Sequence, residues 1–213
     1  MNYGGMPAGM WLLFGRSFRR QLETALGYGG ADAAALTKRA KNKYSEIIAG
    51  LPEFEKGDRF QMNIVSCAML AAFYLQMEPK PDIEKMTAYY DAAMMIGPMR
   101  LFCRVGARRK FSAADVEGMR KTALLCAADR NPYSWNMELL PYPDGSGYEA
   151  RFSHCGICTL MRELGIYEIV PAMCALDYAM SAAGGRDGFL REHTLADGGP
   201  YCDCGYKKKA QRI

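Results

Sequence analysis

The sequence predicts an α+β protein in which a mainly helical N-terminal layer packs on a small antiparallel β-sheet formed by the C-terminal third. Three observations carry that expectation. Apolar residues recur at three- and four-residue steps through much of the first 130 positions, turn formers break this texture after Asn131, and short alternating segments follow between glycine-rich loops. The first period is that of a helix face and the second that of a half-buried strand.

The clearest helix spans residues 60–75, where Phe60, Ile64, Cys67, Ala68, Ala71, Tyr74 and Leu75 line one face. Weaker patterns predict helices over 10–26 and 33–48. Asp82 is placed to cap a helix through Tyr90. Ser112, with Asp115 three residues on, resembles a capping box that opens a helix reaching Ala128. Five helices are therefore expected before residue 130. Cys67, Cys103 and Cys126 read as core cysteines among apolar neighbours, and Arg104, Arg108, Arg109 and Lys110 as a solvated loop.

Asn131-Pro132 and the run from Pro141 to Gly147 are turn signals around the short segment 133–140. Residues 148–154 alternate as a strand does, and 157–164 reads as a short helix stopped by Gly165. A second helix over 168–183 ends at Gly184-Gly185. Residues 189–195 and 201–206 read as two strands joined through the turn formers of 196–200. One domain over 1–213 is expected, with a helical layer at 1–130 and a site-bearing α+β layer at 131–213.

Composition excludes several function classes. The formal net charge is +4 with the two signs interspersed, which leaves no footprint for a polyanion, so no nucleic acid is expected as a partner. Eight cysteines would suit a disulfide framework only in a small chain without a core, whereas 213 residues at 50% apolar content build one; reduced thiols and a cytoplasmic location are expected. Residues 1–9 hold no basic run, and the apolar stretch 10–14 is too short for a signal core or a membrane span. The closing run from Lys207 to Arg212 reads as a solvated tail. The methionines, Met94, Met95 and Met99 among them, read as core filler, with a pocket wall or a homo-oligomer contact left open.

Chemistry-bearing residues crowd into one region: His154, Cys155, Cys158, Cys174, Asp177, His193, Asp197, Cys202, Asp203 and Cys204. Both histidines of the chain and five of its eight cysteines fall within the last 60 residues. Packing alone does not call for that density. Strand alternation points Cys202 and Cys204 to one face and Asp203 to the other, where it would hold a loop. On the helix, Cys174 shares a side with Asp177 and Tyr178. Cys155 and Cys158 form a Cys-x-x-Cys pair, the spacing of redox and metal sites. A zinc or iron–sulfur site from Cys155, Cys158, Cys174 and Cys202 is the alternative they leave open.

The stretch Phe152-Ser-His-Cys-Gly-Ile-Cys158, then Leu164-Gly165, Cys174-x-x-Asp177, and finally Arg191-Glu-His-Thr-Leu-Ala-Asp-Gly-Gly-Pro-Tyr-Cys-Asp203 resembles the C-terminal part of the L-2-amino-thiazoline-4-carboxylic acid hydrolase family. The strongest portion is Thr194-Leu195-x-x-Gly198 followed by Cys202-Asp203. In place of the aromatic residue the family usually carries next, this chain has Cys204.

The resemblance implies hydrolytic opening of a 2-aminothiazoline ring at a C–S or C–N bond, with no cofactor and a small molecule as the substrate. It further implies Cys202 as nucleophile, since a thiolate can attack the amidine-like ring carbon. His193 is then the first candidate for the base that ionises the thiol or activates water, and Asp177 or Asp203 for the group that orients the imidazole. Arg191 would grip a substrate carboxylate, with His154, Thr194 and Cys174 beside it on the substrate side. A family member that binds a ligand without consuming it, and a metal or redox module, are the rival readings.

Overall fold

The computed structural model describes residues 3–54 and 57–209. Six helices come first: α1 (Met6–Thr24), α2 (Gly30–Gly50), α3 (Gln61–Leu75), α4 (Ile83–Met94), α5 (Gly97–Ala107) and α6 (Ala113–Ala128). Strands β1 (Asn136–Pro141) and β2 (Gly147–His154) follow, then α7 (Gly156–Glu163), a single 3-10 turn (Tyr167–Ile169), α8 (Val170–Gly184), β3 (Asp187–Leu190) and β4 (Cys202–Lys208). The sheet order is β1-β2-β4-β3 with every neighbouring pair antiparallel. The class is α+β, with the strands of the described residues all lying beyond residue 135, in the C-terminal part.

The five expected N-terminal helices are present, and their starts obey the capping chemistry. Asp82 accepts from the Lys85 N–H at the start of α4, and Ser112 accepts from the Asp115 N–H at the start of α6. A sixth, α5, occupies a stretch read in part as a solvated loop. Pro98 sits in its first turn, where a missing N–H is harmless, so a residue that looks like a breaker opens the helix instead. Lys110, grouped in that same loop, is half-buried: its Nζ lies 2.8 Å from the carboxylate of Asp187 and 3.5 Å from the centre of the Tyr206 ring.

α3 is apolar nearly all round, and the residues from Ile64 to Tyr74 are buried except Ser66, which is half-buried. A helix of that kind belongs at the centre. Around it Phe18, Leu22, Met86 and Tyr89 form the main core, which Leu160, Met161 and Val170 of α7 and α8 complete. The helical layer thus draws two of its helices from beyond residue 130. A smaller apolar cluster, made by Cys126, Met137, Ala150, Phe189, Cys202 and Cys204, lies between the sheet and α6.

β3 departs from the expected strand over 189–195, for it ends at Leu190. The backbone amides of Glu192 and His193 turn to the Asp203 carboxylate instead of a ladder partner. Beyond them the chain folds on itself, with the Gly199 N–H donating to the Thr194 carbonyl and Gly198 at φ +81°, a left-handed conformation that glycine adopts without strain. Among the described residues no helix is long and apolar enough to cross a membrane.

Candidate active site

Where the two apolar clusters meet, the chain leaves a cavity of about 410 Å³. Its walls come from α1, α3, α4, α5 and α8 on the helical side and from β2 and β4 on the sheet side. Phe14, Phe60, Met94, Met99, Trp135 and Phe152 make most of the surface apolar. Against that background stand Asp177, Arg191, five thiols (Cys67, Cys155, Cys174, Cys202 and Cys204) and the neutral polar groups of Asn63, Ser66 and Tyr90. An apolar chamber with a few convergent polar groups is the usual form of a small-molecule site.

Secondary-structure geometry brings these groups together. Cys202 and Cys204, two apart on β4, face the cavity together, and Asp203 points away. Cys174 and Asp177, three apart on α8, share its inner side. Arg191 is the first residue after β3, and its side chain folds inward until only 5% of it is accessible.

There Nη2 donates to the Asp177 carboxylate at 2.5 Å and to the Cys204 sulfur at 2.9 Å, while Nη1 donates to the Cys174 carbonyl at 3.0 Å. Its buried Nε has no partner. The fork expected to clamp a substrate carboxylate is therefore occupied from within the protein. Asp177 keeps 41% of its side-chain surface accessible, and it borders the cavity. Burial pushes its carboxyl above the ordinary range, and the neighbouring guanidinium opposes that rise.

The thiols experience different surroundings. Burial pushes Cys202 up, while the Leu195 N–H, 3.2 Å from its sulfur, and the charge of Arg191 pull it down. Cys204 and Cys67 are each pushed up by burial to about 12. Cys158 goes the other way, to about 7: the Cys155 thiol beside it, the Tyr167 hydroxyl at 3.7 Å and the charge of Arg162 all favour its thiolate over the opposing effect of burial. Cys158 is 3% accessible and lies behind the cavity wall, whereas Cys155 is part of that wall.

Of the residues singled out in the sequence, Cys202, Asp177, Arg191, Cys174 and Cys155 meet in this cavity. His193 does not, since β3 stops short of it and its exposed imidazole packs edge-on against Tyr201 with ring centres 5.4 Å apart. Asp203 accepts from the His193 and Glu192 amides at 2.6 and 3.0 Å, and Thr194 bonds Asp197 within the same loop. His154, at the end of β2, places Nε2 2.9 Å from the Pro132 carbonyl and lines a separate open groove of about 510 Å³. In that groove Arg151 is already held by Glu149 and by the Tyr201 ring.

The four-cysteine metal set is not assembled. Among the described residues no three His, Cys, Asp or Glu side chains are placed to hold a metal. Cys155 and Cys158 lie side by side, but neither Cys174 nor Cys202 joins them at a common point. The sequence reading missed Asn63, Ser66 and Cys67 as wall residues. Two polar side chains interrupting an otherwise apolar helix were the available signal.

Fold and cavity together define an α+β protein with a thiol-lined chamber sized for a small molecule. The chain belongs to the L-2-amino-thiazoline-4-carboxylic acid hydrolase family, whose sequence pattern matches residues 61–206. That span begins at α3 and ends in β4, so it contains every polar group of the cavity wall named above. A hydrolase-type function follows at the level of the family. No curated protein and no solved structure matches the chain.

Proposed function

We propose that this protein opens a small cyclic amidine of the 2-aminothiazoline-4-carboxylate type by attack of Cys202 on the ring carbon between nitrogen and sulfur. The observation that carries this reading is the cavity wall itself, where the Cys202 sulfur receives a backbone N–H beside the Asp177–Arg191 pair. Asp177 is the natural partner for the ring amidine, whose N–H groups match a carboxylate in charge and direction. A cationic amidine bound there also adds positive charge near Cys202, which favours the thiolate when substrate is present.

The Cys202 sulfur adds to the ring carbon, and the carbon–sulfur bond of the ring breaks. Ring sulfur leaves as a thiolate and takes up a proton, which leaves an isothiourea bonded to the enzyme. Water then adds to that carbon, the bond to Cys202 breaks, and an N-carbamoyl-cysteine departs. The Leu195 N–H steadies the Cys202 thiolate at both ends of this cycle. Arg191 fixes Asp177 and supplies charge to the chamber, while Asn63 and Ser66 offer the substrate carboxylate neutral donors on the helical wall. His193, Thr194 and Asp203 enter as the loop that presents Leu195, not as groups that touch substrate.

The test is release of free thiol and carbamoyl product from 2-aminothiazoline-4-carboxylate. Cys202→Ser is expected to lower kcat by about a hundredfold or more with the fold intact, as loss of a nucleophile does. Asp177→Asn is expected to raise KM more than it lowers kcat. Turnover that survives in Cys202→Ser, or a wild-type protein that binds the ring and leaves it closed, would overturn the reading.

A further inference from the structure

Cys155 and Cys158 are not needed for the reaction above, yet their setting is as constructed as that of Cys202. Cys155 is the N-cap of α7 in extended conformation, and Cys158 is the third residue of the helix. The turn between them is pinned: a Cβ on Gly156 would stand 1.9 Å from the Tyr133 carbonyl oxygen, so that backbone lies hard against α7. Both thiols are free. Cys155 faces the chamber, and Cys158 sits behind it against the Tyr167 hydroxyl, which also donates to the Leu195 carbonyl at 2.8 Å and receives Arg162 at 3.1 Å.

We propose that Cys155 and Cys158 form a redox-active dithiol that closes to a disulfide by exchange with small disulfides reaching Cys155 through the cavity. In the first step the proton of Cys155 passes to the Cys158 sulfur, and the Cys155 thiolate attacks one sulfur of R–S–S–R. The R–S⁻ that leaves takes up a proton. In the second step the Cys158 sulfur attacks Cys155, the second R–S⁻ departs with the proton that Cys158 gives up, and the Cys155–Cys158 bond forms. Two protein thiols are oxidised and one external disulfide is reduced to two thiols.

The division of labour follows from position. The shared proton rests mainly on Cys155, which its hydrogen bond with Cys158 and its burial push well above the ordinary thiol range. The reachable sulfur therefore attacks from the minor form in which Cys158 holds the proton; Cys158, drawn down to about 7, gives that proton up readily and resolves the mixed disulfide. The chamber selects the oxidant, since its apolar walls and volume of about 410 Å³ admit a compact disulfide and turn away a bulky charged one.

Peptide mapping tests the idea, because cleavage after Arg151 and Arg162 isolates the pair on peptide 152–162, apart from Cys174 on 163–186 and from Cys202 and Cys204 on 192–207. Native protein is treated at neutral pH with 2-hydroxyethyl disulfide or with glutathione disulfide, alkylated and digested. Peptide 152–162 is expected to lose its two thiol hydrogens before either other peptide changes, and at least tenfold faster with the smaller reagent. Cys158→Ser is expected to stop at a mixed disulfide on Cys155, formed more slowly than in wild type because the proton acceptor is gone, and Cys155→Ser to leave Cys158 unmodified. Two alkylated thiols on 152–162, earlier oxidation of 192–207, or equal rates with both reagents would overturn the proposal. Should either variant fail to fold, the wild-type map decides by itself, with no reference to hydrolase activity.

Discussion

The two cysteine pairs of the C-terminal third differ by one residue of spacing and end in opposite chemical environments. On β4 the two-residue spacing aims Cys202 and Cys204 into the same chamber, where burial raises both thiols. At the start of α7 the three-residue spacing divides the pair, Cys155 at the chamber and Cys158 behind it, and Cys158 is the sulfur drawn down to about 7. Burial alone does not decide the ionisation of a cysteine. The donors around each sulfur do, and backbone geometry decides which donors are in reach.

Breaking the ion pair that frames Cys204 should have the largest effect on the fold. Arg191→Met leaves Asp177 without its counter-charge, and because Asp177 keeps some access to the cavity the loss should fall at the lower end for a broken buried pair, about 3 kcal/mol. Urea unfolding of variant and wild type measures it. On the other side of the comparison, Gly156→Ala forces the Cys155 turn away from Tyr133, with about 2 kcal/mol of destabilisation expected from the overlap. The same substitution should slow disulfide closure on peptide 152–162.

A pH series sharpens the contrast. Burial holds Cys204 protonated to about 12 against 9.0 for a free thiol, so between those values the folded state keeps a proton that the unfolded state has lost. That contribution is fully present below 9.0 and fades as pH rises through the window. Wild type should lose about 1 kcal/mol more than Cys204→Ala between pH 8 and pH 10, read from urea midpoints at each pH. Thiolate absorbance at about 240 nm, read as the difference between wild type and Cys158→Ser, should instead be half developed at pH of about 7 and nearly complete about a unit above it. The smallest effect is expected at Asp203. Asp203→Ala removes a half-buried carboxylate that accepts two loop amides, worth about 1 kcal/mol, and leaves Cys202 reactive.

The helices were legible because each writes its own period and caps, as Asp82 and Ser112 do. α5 was not, because Pro98 at a helix start and Pro98 in a loop look alike until the neighbouring chain is known. In the candidate site Cys202, Cys174 and Asp177 could be read from alternation and helix spacing within single elements. His193 was misplaced in that reading because strand length depends on hydrogen-bond partners from elsewhere, here the Asp203 carboxylate. Cys67 looked like ordinary core since the cavity beside it exists only once α3 meets the sheet.

By itself the sequence determined the class, the helix and strand periods, the family resemblance carried by residues 152–203, and which sulfurs share a face. Those are consequences of local backbone geometry, which a short run of residues specifies. Tertiary structure decided that Arg191 turns inward to Asp177 and Cys204, that both imidazoles stay outside the chamber, and that Cys158 sits beside Tyr167. Each of these depends on groups 9 to 28 residues apart in the chain meeting across a packed seam, and such meetings are set by the competition of whole elements for burial.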